Sequence, residues 1–153
     1  HATALDLYAY DSNTSQVRWL ALDGKSLRQE PITTFTDPTL VSSADAYRPS
    51  PTDDTLLLVQ SGVNTTPAMT GWLNDFSGAL FLYDAGSGTN YRLTPRSIAA
   101  AYPAWTPDGK RIYFSGLPEK PANGPNHLYS MNADGTGLTD LGKGFAPSVG
   151  TRP

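Results

Sequence analysis

The residues that could carry chemistry are few in this sequence. A Ser-His-acid triad needs a histidine held between a nucleophile and a carboxylate, and the chain has two histidines, His1 and His127. The Gly-x-Ser-x-Gly turn that exposes a nucleophilic serine in many hydrolases does not occur. The absence of cysteine excludes thiolate catalysis, cysteine zinc sites and disulfides. We therefore expect no enzymatic activity and interpret His127 as a residue at the start of a strand.

Metal and phosphate sites have no better support. His1 could chelate copper through its amine and ring, but no second histidine partner is evident, so we interpret it as a free terminus. Segments 11–15 and 132–136 faintly resemble calcium loops, but neither carries the glutamate that closes such a loop. Gly86-Ser87-Gly88 is not followed by a lysine and is not a phosphate loop. The sequence predicts no cofactor and no bound metal.

Charge and composition limit the partners of the protein. The net charge of −3 and the lack of a lysine or arginine cluster argue against nucleic acid. No apolar run approaches the roughly 18 residues of a membrane span. The sequons at Asn13 and Asn64 are possible glycosylation sites, which matter only if the chain is secreted. The 14 glycines and 13 prolines favour many short strands joined by tight turns.

A hairpin pattern recurs three times along the chain. Each copy has a strand with apolar residues at every second position, a turn of Asn, Gly, Asp or Ser, and a second strand. The copies begin at Leu7, Leu80 and Leu128, and they end at Leu20, Leu93 and Leu141. The pattern predicts three β-hairpins.

A second pattern recurs twice and alternates with the first. It covers residues 102–115 and, in a weaker copy, residues 47–58. Pro107-Asp108-Gly109 predicts a tight turn, because proline fixes φ, aspartate bonds back to the backbone and glycine accepts a positive φ. Alternation of the two patterns gives units of four strands, each about the 40–45 residues of a propeller blade.

The sequence therefore predicts an all-β fold of four-stranded antiparallel blades in one domain, 1–153. Two blades are clear, one at 47–95 with an inserted loop at 62–77 and one at 101–142. Residues 1–31 predict a three-strand meander, which is a partial blade. Residues 143–153 predict a C-terminal strand that enters a further blade, because Thr151-Arg152-Pro153 is similar to Tyr47-Arg48-Pro49.

Residues 102–142 resemble the blade of TolB-type β-propellers. The segments that carry the resemblance are 103–114 and 128–137, which have the order and spacing of that family's two-part signature. The resemblance implies a radial array of blades in a secreted or periplasmic protein that binds partners at the ring face or central channel. Similar blades occur in the gating domains of prolyl-oligopeptidase-type enzymes.

The chain departs from that family in having too few blades to close a ring, which takes about four to eight. We therefore expect a non-catalytic structural protein whose blades are completed by neighbouring copies, in a ring or filament. In this hypothesis segment 145–153 pairs with the N-terminal partial blade. The alternative is a protein- or ligand-binding module, such as a fragment of a longer TolB-like protein or of a gating domain. We expect an extracellular or periplasmic location, with a signal peptide removed before His1.

Five residues are candidates for contacts with a partner. Trp72 and Phe76 lie in the polar inserted loop, where they either fold over a blade edge or anchor a partner. Phe145, Val149 and Arg152 lie in the C-terminal strand, which we expect to pair with another copy.

Overall fold

The structure is a computed structural model that describes residues 7–11, 16–21, 23–35, 46–61, 78–118 and 124–150, with backbone alone for 7–11. Within these ranges, eleven strands form three antiparallel sheets in chain order. The N-terminal sheet contains β1 (Leu7–Asp11), β2 (Gln16–Leu20) and β3 (Ser26–Pro31). The middle sheet contains β4 (Ala46–Pro49), β5 (Leu56–Ser61), β6 (Ala79–Asp84) and β7 (Thr89–Arg92). The C-terminal sheet contains β8 (Ile98–Trp105), β9 (Arg111–Pro118), β10 (His127–Asn132) and β11 (Thr139–Lys143).

This architecture confirms the predicted fold class. Two sheets have four strands in the order of the sequence, as propeller blades do, and the described part of the N-terminal sheet has three. The helical structure in the described ranges is a single 3-10 turn at Ile32–Thr34. No helix long and apolar enough to cross a membrane occurs in the part of the chain that the structure describes.

The middle sheet is covered on both faces because side chains on a strand point alternately to opposite sides. On β5, Leu57 and Val59 contribute to a core shared with the N-terminal sheet, whereas Leu58 contributes to a core shared with the C-terminal sheet. All three side chains are at most 2% exposed. The alternation thus makes the middle sheet a shared wall between two cores.

Aromatic rings fill the first of these cores. Phe35, which follows the 3-10 turn, is 2% exposed. Its ring lies edge-on to Tyr83 at a centroid distance of 4.9 Å and to Tyr47 at 6.0 Å. The Asn90 side chain donates to the Phe35 carbonyl at 2.9 Å, so a polar contact joins the end of the 3-10 turn to the middle sheet.

Aliphatic side chains from the middle sheet meet aromatic ones from the C-terminal sheet in the second core. Leu58 and Leu80 pack with Phe114 and Tyr129, whose rings stack at 5.4 Å. At the edge of this core the Trp105 indole donates to the Arg48 carbonyl at 3.0 Å. Burial of these apolar surfaces is the main force that holds the sheets face to face.

The predicted turn at Pro107-Asp108-Gly109 is confirmed. Gly109 has a φ of +68°. Asp108 accepts the Lys110 backbone N–H at 3.1 Å, so it bonds back to the backbone as expected. A Cβ at Gly109 would also collide with the Thr52 hydroxyl of the middle sheet, so glycine serves both the turn and the approach of the two sheets.

The turn hydrogen bonds correct one part of the repeat alignment. In the C-terminal sheet, the β10–β11 turn has a bond from Gly135 N–H to the Asn132 carbonyl at 2.9 Å. The N-terminal sheet repeats this bond between β2 and β3, from Gly24 N–H to the Ala21 carbonyl at 2.8 Å. The hairpin beginning at Leu7 was predicted to match the one beginning at Leu128, but β2–β3 is the pair that matches. The strands β1–β3 therefore correspond to β9–β11, which are the second, third and fourth strands of a blade.

We predict that Phe114→Ala lowers the free energy of unfolding by about 3–5 kcal/mol, because it opens a cavity in the core between two sheets. The matched control is Leu138→Ala, at a leucine that is 38% exposed in the same sheet region. We expect this control to cost less than about 0.5 kcal/mol. Urea denaturation followed by tryptophan fluorescence measures both. Equal effects of the two substitutions would contradict the assigned core.

Candidate interaction face of the C-terminal sheet

The one histidine in the described ranges lies where the sequence predicts, at the start of a strand. His127 begins β10, and its Nδ1 lies 2.7 Å from the Asp140 Oδ2 on β11. Asp140 also accepts the Gly142 backbone N–H at 2.8 Å. This pair ties the ends of two strands together. Among the described residues, no group of three or more His, Cys, Asp and Glu side chains could hold a metal ion.

Hydrogen bonds lower the pKa of Asp140 below its usual range. The largest cause is the bond from the Gly142 backbone N–H, followed by the bond with His127. A carboxyl group with a lowered pKa stabilises the folded state at pH values above its unfolded pKa of about 4. That stabilisation is lost as the pH falls through the folded pKa.

The C-terminal sheet has one covered face and one outward face. Ile112 and Phe114 on β9 lie in the core shared with the middle sheet. Tyr113 lies between them in sequence and therefore points to the opposite side. There it lines a groove of about 570 Å³ together with Leu128 and Leu141. We call this side the outward face.

The middle sheet shows what the outward face would look like when covered. The register places Leu58 opposite Leu82, as it places Tyr113 opposite Ser130. By the same repeat, Leu80 and Leu93 correspond to Leu128 and Leu141. Leu93 is 9% exposed beneath the C-terminal sheet, whereas Leu141 is 51% exposed. At Leu141 the outward face thus keeps an apolar side chain whose counterpart in the middle sheet is covered.

Segment 144–150 lies across this outward face. The Ala146 N–H donates to the Ser115 hydroxyl on β9 at 2.7 Å. A Cβ at Gly144 would lie 2.6 Å from the Leu128 side chain, so the lack of a side chain at Gly144 allows this close approach. The segment is therefore held on the sheet by a buried acceptor and by close packing.

The same contacts occur where the chain passes from the middle sheet to the C-terminal sheet. The Tyr102 N–H donates to the Gln60 side chain on β5 at 2.7 Å, as Ala146 donates to Ser115. In the register, Gln60 pairs with Leu80, and Ser115 pairs with Leu128. Because Leu80 and Leu128 are repeat counterparts, the two acceptors hold equivalent places. Tyr102 and Ala146 are also the two non-glycine residues with positive φ in the described ranges, at +56° and +50°.

A second pair of contacts agrees with this equivalence. Ala100, two residues before Tyr102, donates to the Gly78 carbonyl at 2.8 Å. Gly144, two residues before Ala146, donates to the Asn126 carbonyl at 3.0 Å. Because Ala100 and Tyr102 belong to β8, the first strand of its sheet, segment 144–150 takes the position of a first strand in a further blade.

This equivalence corrects the motif alignment at the C-terminal end. Thr151-Arg152-Pro153 was predicted to match Tyr47-Arg48-Pro49 at the start of a blade. The contacts instead match Ala146-Pro147 to Tyr102-Pro103, so the further blade begins several residues sooner. Residues 144–150, which the structure describes, are not a regular strand of any sheet.

Two of the candidate contact residues meet at the groove. Phe145 and Val149 line it with Tyr113, Leu128 and Leu141. The Phe145 ring is 48% exposed and lies edge-on to Tyr102 at 4.9 Å. The other candidates, Trp72, Phe76 and Arg152, lie outside the described residues, as do His1 and the sequons at Asn13 and Asn64.

A buried acceptor lies beside the same segment. Asn126 is 7% exposed, and its Oδ1 atom has no hydrogen-bond partner among the described residues. Leaving a buried polar atom unpaired costs roughly 1–3 kcal/mol.

Sequence reasoning missed Gln60, Ser115 and Asn126, because each acts on a residue distant in the chain. A signal for them was present in the pair Ala146-Pro147, which shares its proline with the pair Tyr102-Pro103. That alignment would have directed attention to the residues that bind the two N–H groups.

Comparison with known proteins supports the fold. A solved structure assigned to TolB from Agrobacterium tumefaciens matches 91% of this chain and 46% of its own, with a TM-score of 0.53 and 17% identity. The chain thus spans about half the length of that protein. TolB from Acinetobacter baumannii matches 88% of this chain and 29% of its own, with a TM-score of 0.49 and 18% identity. An oligogalacturonate lyase in complex with manganese matches 84% of this chain and 31% of its own, with a TM-score of 0.47 and 14% identity.

No protein-family profile and no curated protein matches the sequence. At the identity of the Agrobacterium protein, the likeness shows a TolB-like β-propeller fold. The resemblance found in the sequence is confirmed at this level.

We predict that Ser115→Ala increases the hydrogen-exchange rate of the Ala146 amide roughly fivefold, the factor that corresponds to a bond of about 1 kcal/mol. The control is Ser130→Ala, which removes a buried hydroxyl that accepts from Arg111 in the same sheet. This control should leave the exchange of Ala146 unchanged. An Ala146 amide that is insensitive to Ser115→Ala would contradict the assigned contact.

We predict that Asp140→Asn destabilises the protein at pH 7 and that the difference from the natural protein shrinks below about pH 4. The direction follows from the lowered pKa of Asp140 in the folded state. Thermal unfolding at pH 7, 5 and 3 measures the difference. A difference that stays constant over this range would argue against the assigned hydrogen bonds.

Proposed function

We propose that this chain is a non-catalytic β-propeller module of the TolB-like kind, which binds a protein partner by adding β-structure to its outward face. The observation that carries the proposal is the position of segment 144–150. Ala146 makes the hydrogen bond of a first strand to Ser115 at 2.7 Å, while Leu141 beneath it is 51% exposed. The partner would supply the remaining strands of a blade whose first strand is in place.

The energetics of burial support this use of the face. Fully burying a leucine or phenylalanine side chain contributes about 1.5–3 kcal/mol. Leu141 and Phe145 are 51% and 48% exposed, among the largest exposures of apolar side chains in the described residues. Added β-structure would bury both side chains and fill the groove of about 570 Å³.

Two sources of the added strands are open. One is a neighbouring copy of the same chain, which makes the protein a structural component of a ring or filament. In that case segment 145–153, with Phe145, Val149 and Arg152, contacts the N-terminal partial blade. The other is the remainder of a longer TolB-like protein or of a peptidase gating domain. The match to 46% of the Agrobacterium TolB protein supports this second source.

The location and the inserted loop complete the proposal. The TolB-type signature implies an extracellular or periplasmic protein. In a secreted chain Asn13 and Asn64 would be available for glycosylation. Trp72 and Phe76 in loop 62–77 would provide a second contact surface for a partner.

A fusion tests whether the outward face accepts a blade. Residues 1–145 are followed by a second copy of residues 102–150, which joins the chain at the equivalent of Tyr102. We predict that Leu141→Asp in the first copy lowers the free energy of unfolding of this fusion by more than about 2 kcal/mol, because the added blade buries Leu141. Urea denaturation measures the effect.

The control for the fusion is Leu138→Asp, at an exposed leucine that does not line the groove. We expect this change to cost less than about 0.5 kcal/mol. If the two aspartate substitutions have equal small effects, the added blade does not cover the face and the proposed function is wrong.

A further inference from the structure

The connection from the middle sheet to the C-terminal sheet carries two arginines that no acidic group neutralises. Arg92 ends β7, and Arg96 lies in the connection that leads to β8. Among the described residues, no carboxylate lies within ion-pair distance of either side chain. Acidic residues outnumber lysine and arginine in the chain by 14 to 11, so a shortage of acidic residues does not explain the missing counter-charge.

Arg92 is held in place by the backbone of this connection. Its Nε donates to the Thr94 carbonyl at 2.7 Å, and its Nη2 donates to the Pro95 carbonyl at 3.4 Å. The guanidinium keeps further N–H groups that are free for a ligand. Burial and the nearby charge of Arg96 lower the pKa of Arg92. The side chain is therefore fixed where its charge is poorly solvated and is repelled by a second cation.

A tight turn presents Arg96 beside this guanidinium. The Ile98 N–H donates to the Pro95 carbonyl at 3.3 Å, which closes a turn with Arg96 and Ser97 at its centre. Both central residues are exposed. Their backbone N–H groups and the Ser97 hydroxyl donate to no other group in the described part of the chain. The turn thus offers several hydrogen-bond donors and a positive charge without an acceptor.

The equivalent position of the next sheet shows a charge that is satisfied. Arg92 pairs with Phe81 in the register as Asp140 pairs with Tyr129, so Asp140 is the repeat counterpart of Arg92. Asp140 lies 2.7 Å from the His127 ring nitrogen. Arg92 has no such partner of opposite charge among the described residues. The repeat therefore tolerates a charge at this position and pairs it in one sheet, which leaves the pairing of Arg92 to a ligand.

We propose that Arg92, Arg96 and Ser97 form a binding site for a phosphate group, either the free ion or a phosphate ester. A phosphate group carries a charge of about −1.5 to −2 at pH 7, which compensates both guanidinium groups, whereas a carboxylate compensates one. The planar guanidinium also matches phosphate oxygens with two parallel hydrogen bonds. None of the three residues lines the groove of the outward face, so the site is separate from the proposed function.

A nuclear magnetic resonance titration of the whole chain tests the site. Sodium phosphate replaces sodium chloride at constant ionic strength, because surface charges are screened by salt. We expect saturable shifts of the Ser97 amide and of the Arg92 Nε–H. A parallel titration with phenyl phosphate distinguishes the two sources of the group. Tighter binding of phenyl phosphate assigns the site to a phosphate ester, and tighter binding of inorganic phosphate assigns it to the free ion.

Substitutions at the exposed arginine test which groups bind. Arg96→Gln should weaken phosphate binding roughly tenfold, the loss expected for a hydrogen bond to a charged group. Arg96→Lys keeps the charge but not the planar fork, so we expect a smaller loss. The matched control is Lys25→Gln, which removes the same charge from an exposed turn of the N-terminal sheet. This control should leave phosphate binding unchanged.

Three results would overturn the proposal. The first is a set of shifts that grow without saturation, which indicates an unspecific ionic effect. The second is acetate that binds as tightly as phosphate, and the third is a Lys25→Gln protein that loses as much affinity as Arg96→Gln. The fusion experiment changes none of these residues, so the phosphate site and the proposed function are tested independently.

Discussion

A strand inside a stack of blades has two faces, and both must be removed from water. The middle sheet meets this constraint by alternation: Leu57 and Val59 face one neighbour and Leu58 faces the other, all at most 2% exposed. Because each sheet is only one layer thick, the two large cores each lie between two sheets. Apolar burial between sheets, which is the dominant favourable term in folding, is therefore also what sets the order of the blades.

The C-terminal sheet shows how the same constraint is relaxed at an end of the stack. In the C-terminal sheet, Arg111 and Ser130 occupy the positions that Leu56 and Leu82 occupy in the middle sheet. The Arg111 side chain donates a hydrogen bond of 2.8 Å to the Ser130 hydroxyl. This polar pair tolerates water. Tyr113, Leu128 and Leu141 keep the apolar character of a covered face. The outward face is thus suited to exist uncovered and to gain stability when it is covered.

The passage from one blade to the next depends on a small set of buried polar contacts. Gln60 and Ser115 each accept a backbone N–H from a residue with positive φ, Tyr102 or Ala146. A non-glycine residue in that conformation carries strain, which the surrounding contacts must offset. The strain occurs at both passages, so it belongs to the way the chain turns from one sheet to the first strand of the next. This shared geometry links the fold to the proposed binding of a further blade.

The sequence by itself determined what depends on short-range physics. Alternating apolar residues predicted the strands, and Pro107-Asp108-Gly109 predicted its turn, because proline, aspartate and glycine act on their own backbone. The sequence also indicated Phe145 and Val149 as candidate contact residues, and both line the groove. Only the tertiary structure decided which strands of the N-terminal sheet match a blade and where the further blade begins. Those answers depend on hydrogen bonds such as Ser115 to Ala146, between residues far apart in the chain, and no local pattern specifies which distant segments will meet.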